Sequence, residues 1–106
     1  MDHADHVALI RDGVPQPGGI WADFGAGSGP FTLALADLLG PGAVIYALDR
    51  DGRALRQLEQ TMRARFPATQ ARYVTADYTR PLNLPPRDGI VMANALHFQR
   101  HADKPA

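Results

Sequence analysis

The chain has 106 residues, 45% of them apolar, with 11 basic and 11 acidic side chains and no cysteine. That length fits a single domain, and the balanced charge gives no global pull toward nucleic acid or an anionic membrane. The lack of cysteine excludes disulfides, thiolate metal sites and cysteine nucleophiles.

The N-terminal stretch Met1 to His6 has neither the basic region nor the apolar region of a secretory signal. No apolar run is long enough to span a bilayer, so a cytoplasmic location is expected. Val7 to Ile10 reads as a short amphipathic piece ending at Asp12-Gly13. His3 and His6 before it fall in a stretch expected to be mobile, with no assigned role. A turn follows at Pro15, Pro17, Gly18 and Gly19.

Ile20 to Phe24 is an apolar run that ends at a glycine cluster. Phe31, Leu35, Leu38 and Leu39 then recur at helical spacing, and Gly40-Pro41-Gly42 stops that helix. Ala43 to Leu48 is a second apolar run, ending at Asp49. Asp51 is placed to cap a helix whose apolar face is Leu55, Leu58 and Met62. Arg72 to Ala76 is the third strand candidate, ending at Asp77. The three prolines between Thr79 and Arg87 mark an extended crossover, and Gly89 to Ala93 is a fourth apolar run, ending at Asn94.

Strands alternating with helices indicate an α/β domain with a parallel, Rossmann-like sheet. Runs apolar at every position fit strands with helices on both faces. The expected strand order is 3-2-1-4, with ligands in the crevice beyond the carboxyl ends of the strands, where the order reverses. The loop after Asp23, together with Asp49, Asp77 and Asn94, should therefore converge on one sheet edge. In this order the fourth strand is an edge. With no proline or charge in Gly89–Ala93, it is expected to pair with a second copy or to need a covering segment.

The loop reads Asp23-Phe24-Gly25-Ala26-Gly27-Ser28-Gly29-Pro30. Gly25 and Gly27 permit a sharp turn and close backbone approach to a ligand. The third glycine of a dinucleotide fingerprint would fall where Pro30 stands, and no phosphate-loop lysine follows. An acid at Asp23 repels phosphate and suits an ammonium or sulfonium. The plain alternative is a tight strand-to-helix turn with no ligand. Asp49 can accept from two ribose hydroxyls, and Arg50 can lie against an adenine face or simply be solvated. Asp77 can accept from the adenine amine while the next backbone N–H donates to the ring, or it can close an Asx turn.

These elements, in this order and spacing from Ile20 to Phe98, resemble class I S-adenosylmethionine-dependent methyltransferases, closest to small-molecule enzymes of the ubiquinone and menaquinone biosynthesis type. The resemblance implies that Asp23, Gly25, Ala26 and Gly27 hold the methionine end of the cofactor. It implies that Asp49 holds the ribose, that Arg50, Asp77 and Tyr78 hold the adenine, and that Asn94 lies beside the methionine end. It also implies a small-molecule substrate and no dedicated catalytic residue. The family domain carries three further strands, which supply most of the acceptor pocket, and the chain ends at Ala106 before them. Ala95-Leu96-His97 replaces the Pro-Pro-aromatic grip that many members use on planar amines.

Asn94 to Phe98 is expected to lead into a helix that would set His97 and His101 on one face. A general base at His97 or a metal at the pair is the functional alternative to a plain pocket wall. Two functions remain open on these residues: an S-adenosylmethionine-dependent methyltransferase, or a module that binds the cofactor without transferring a methyl group.

Overall fold

The structure, a computed structural model, describes residues 2–76, 88–92 and 97–100. Helix α1 (His3–Ile10) leads through a 3-10 turn (Arg11–Gly13) into strand β1 (Ile20–Phe24). Helix α2 (Pro30–Leu39), strand β2 (Val44–Asp49), helix α3 (Gly52–Arg65) and strand β3 (Gln70–Thr75) follow. Strands β4 (Gly89–Met92) and β5 (His97–Arg100) complete the sheet, whose order is β3-β2-β1-β4-β5. Strands β1 to β4 are parallel in the expected order 3-2-1-4. Among the described residues no helix is long and apolar enough to cross a membrane.

Local chemistry explains the element ends. Pro30 occupies the first turn of α2, where its missing N–H costs nothing. Asp51 caps α3, its Oδ1 accepting from the backbone N–H of Arg53 (2.9 Å) and Ala54 (3.4 Å). One face of the sheet carries Trp21, Ile45, Ala47 and Val91, which join Leu35, Leu39, Leu58 and Met62 of the helices in one core. A helix on the opposite face, expected from the sequence, would fall outside the described residues.

Two expectations are corrected. The N-terminal stretch is a docked helix. A reciprocal capping box between Asp2 and Asp5 nucleates α1, and Val7 and Ile10 bury against the core. His3 Nε2 lies 2.9 Å from Asp37 Oδ2, and the His6 ring meets Phe31 edge-on at 5.0 Å between centroids. Both histidines therefore help to seat α1 on α2.

The second correction concerns the fourth strand, which is not an edge. Residues 97–100 pair with it antiparallel, Met92 opposite His97 and Gly89 opposite Arg100. Open backbone groups on β4 are satisfied by the next segment of the same chain, a closure that costs little entropy over so short a connection. The motive for self-association through β4 is thereby removed. It also places His97 in a strand, where a helical spacing to His101 has no meaning. His101 lies outside the described residues. Among the described residues no group of three potential ligands could hold a metal.

Gly89 shows how tightly β4 is seated. A Cβ there would lie 2.5 Å from two carbons of the Trp21 ring, which is buried. Gly89→Ala is expected to destabilise the fold by about 1–3 kcal/mol, the scale of overpacking a core. Gly42→Ala, where a Cβ meets nothing within 4 Å, should change stability by no more than about 0.5 kcal/mol. Urea unfolding of both variants checks the contrast.

Candidate functional site

The carboxyl ends of the parallel strands form one row across the sheet, with Val74, Leu48, Phe24 and Met92 in register, and the antiparallel β5 starts beside them at His97. The chain leaves β1 at Phe24 through a loop held by glycines with φ of 76° (Gly25), 58° (Gly27) and 96° (Gly29), values that L side chains rarely adopt. At Gly29 a Cβ would also fall 2.0 Å from Leu58 Cδ1, so the start of α2 packs directly on α3. At Gly27 a Cβ would meet nothing within 4 Å, so the loop has open space on that side.

Four of the loop's backbone donors are already committed. Gly25 and Ala26 both donate to the carbonyl of Leu48, at 2.8 and 2.9 Å. Gly27 donates to Asp49 Oδ2 at 2.8 Å, and Gly29 donates to the carbonyl of Ala26 at 3.0 Å. An anion-binding nest needs successive N–H groups free to point at the ligand. The successive N–H groups of Gly25, Ala26 and Gly27 are spent internally here, so their hydrogen-bond geometry is not that of a phosphate cradle. The Ala26 side chain packs into the core.

Asp49, half-buried at the end of β2, is the hub. Its Oδ2 accepts from Gly27, and its Oδ1 accepts from the Asp51 N–H at 2.8 Å. Each carboxylate oxygen retains a second lone pair for a ligand hydroxyl. Its carbonyl accepts from Ala76 N at 3.0 Å, which draws the end of β3 alongside.

Asp23 is wholly buried on the helix side of β1. Thr32 Oγ1, also wholly buried, donates to Asp23 Oδ2 at 2.6 Å. Asp23 Oδ1 is buried with no hydrogen-bond partner among the described residues. Burial, the dominant cause, pushes the carboxyl up from 3.8 to about 7; the Thr32 hydroxyl opposes the shift and the Asp49 charge adds to it.

The structure thus brings Asp23, Gly25, Ala26, Gly27, Asp49 and Arg50 to one edge. Asp77, Tyr78 and Asn94 lie outside the described residues. Thr32 was not anticipated, although a polar residue inside the apolar run 31–36 is a usable signal. Asp88 was also missed. Its Oδ2 accepts from Ile20 N at 2.7 Å, while its own N–H donates to the Ile20 carbonyl at 2.6 Å, aligning β4 with β1.

The raised Asp23 pKa has a consequence for folding. Between pH 3.8 and about 7 the folded chain keeps a proton that the unfolded chain has lost. Stability therefore falls as pH rises through that window, and the whole penalty is present above it. Asp23→Asn removes the titration. Its stability relative to the unsubstituted chain should rise by about 2–3 kcal/mol between about pH 5 and about pH 8, read from urea unfolding at the two pH values.

Comparison with known proteins follows the same lines. Coclaurine N-methyltransferase bound to N-methylheliamine and SAH superposes with a TM-score of 0.74 at 21% identity, over 85% of this chain and 26% of that one. TrmN from Thermus thermophilus gives 0.74 at 30% identity, over 85% and 27%. Magnesium protoporphyrin IX methyltransferase from Synechocystis PCC 6803 with bound SAM gives 0.64 at 24% identity, over 85% and 41%. The chain thus spans between about a quarter and about two fifths of the length of these structures. No curated protein sequence matches it. A family model described as a methyltransferase domain matches residues 22–106. With that match over most of its length, and with the motifs resembling class I S-adenosylmethionine-dependent enzymes, the chain belongs to the methyltransferase-domain family.

Proposed function

We propose that this chain forms the cofactor site of an S-adenosylmethionine-dependent methyltransferase acting on a small molecule. One observation carries the reading: a glycine loop whose Gly25, Ala26 and Gly27 N–H groups are spent internally lies between two carboxylates, Asp23 and Asp49. Such a site rejects phosphate and accepts a cation and hydroxyls. S-adenosylmethionine offers both, whereas the pyrophosphate of NAD needs successive N–H groups such as those of Gly25, Ala26 and Gly27, which are spent internally here. The orphaned Asp23 Oδ1 fits a ligand that brings an ammonium.

On this reading Asp49 accepts from the ribose hydroxyls and Asp23 faces the methionine end. The Gly25–Gly27 turn lets the ligand come close to the backbone. Arg50 lies along the adenine. Asp77 and Tyr78, next in the chain after β3, complete the adenine contacts, and Asn94 after β4 adds a carbonyl beside the methionine end. When bound, the cofactor supplies a methyl group already activated by the sulfonium. The protein then has mainly to align the acceptor and exclude water. A small-molecule acceptor is supported by the balanced charge and by Ala95-Leu96-His97 in place of a planar-amine grip. Two of the structural neighbours carry small-molecule names in their descriptions.

S-adenosylhomocysteine is expected to bind the chain in isothermal titration, and NAD is not; the reverse pattern rejects the assignment. Asp49→Ala should weaken S-adenosylhomocysteine binding by about 1–3 kcal/mol, the scale of charge-assisted hydrogen bonds to hydroxyls. Asp77→Ala should cost less, because adenine also stacks and bonds to backbone. Unchanged affinity in the Asp49 variant would show that the ribose lies elsewhere.

A further inference from the structure

The bond between Thr32 and Asp23 is more than a staple between α2 and β1. A hydroxyl donating to Oδ2 leaves Oδ1 as the atom on which a neutral carboxyl carries its proton. Oδ1 is also the atom with no partner among the described residues. One oxygen is therefore fixed and the other is free to hold either a proton or a ligand cation, but not both.

We propose that Thr32 is a positioning residue for the cofactor site: it fixes one oxygen of Asp23 and turns the other into an acceptor where a ligand ammonium replaces a proton. The inference rests on the cofactor reading given under Proposed function. The balance is simple. The ammonium arrives already charged, the Oδ1–H bond breaks, and the proton passes to solvent.

The surroundings support the exchange. From α2 the group facing Asp23 is the Thr32 hydroxyl. From β2 come Ala47, its register partner, and the charge of Asp49. From β4 comes Val91. Among the described residues, the charged group acting on the carboxyl is thus a second acid, which opposes ionisation until a cation enters. Burial pushes the Asp23 carboxyl up to about 7, which puts the exchange in a measurable range. Thr32 favours the charged form, so it sets the pH at which the site is ready for a cation.

Isothermal titration of S-adenosylhomocysteine into the 106-residue chain, repeated in buffers of different ionisation enthalpy, counts the protons released. About one proton should leave at about pH 6 and almost none at about pH 8.5, with affinity about tenfold weaker at about pH 6 than at about pH 8. Asp23→Asn should abolish the release. Thr32→Val should extend the release to higher pH and weaken binding several-fold at neutral pH, converging on the unsubstituted chain at high pH, and Thr32→Ser should restore the original profile. Binding whose heat is independent of buffer at every pH overturns the proposal and leaves the cofactor reading standing. Failure of S-adenosylhomocysteine to bind at any pH overturns both. The buffer series on the unsubstituted chain decides the question even if the valine variant does not fold.

Discussion

Strand β1 is pinned at both ends, and the geometry of the site follows from that. At its entry Ile20 and Asp88 exchange two hydrogen bonds, while Val44 N donates to the Gly19 carbonyl at 2.9 Å. At its exit the Leu48 carbonyl takes the N–H groups of both Gly25 and Ala26. The register of β2, β1 and β4 is held from above and below. A slip of one residue would turn every side chain of β1 to the other face. Asp23 would then leave Thr32, and the site would lose its buried acid.

That register lets the fold hold two carboxylates at one edge. A buried charge is costly unless it is paired or neutralised. Asp23 meets the cost partly through the Thr32 hydroxyl and partly by keeping its proton. Asp49 meets it by accepting from two backbone N–H groups and remaining partly open to solvent. The two acids are thus different chemical objects, one that keeps its proton up to about pH 7 and one an acceptor held by backbone N–H groups. Their difference arises from burial and not from residue type.

Hydrogen-bond accounting also separates this glycine loop from phosphate-binding loops more sharply than its spacing does. Glycine-rich turns between a strand and a helix share positive φ angles whatever they bind. What differs is where the N–H groups go. Here two are drawn back onto β2, one onto the Asp49 side chain and one within the loop itself.

Much of this was legible in the residues alone. Continuous apolar runs ending at Phe24, Leu48 and near Thr75, with helical spacing between them, determine a parallel sheet in the order 3-2-1-4. The polar residues that end the runs determine which edge holds the site. Strand and helix periods are local properties, and so is the capping of α3 by Asp51. Other features needed the tertiary structure, because each joins residues distant in sequence. Thr32 matters only because α2 sets it on Asp23, and Asp88 only because β4 starts beside Ile20. The docking of α1 depends on Asp37 and Phe31, and the pairing of residues 97–100 depends on the open edge of β4. Sequence pattern determined where the acids stand along the chain. Only the folded packing decided which of them is buried, which keeps a proton and which accepts, because desolvation and hydrogen-bond partners exist only once separate elements meet.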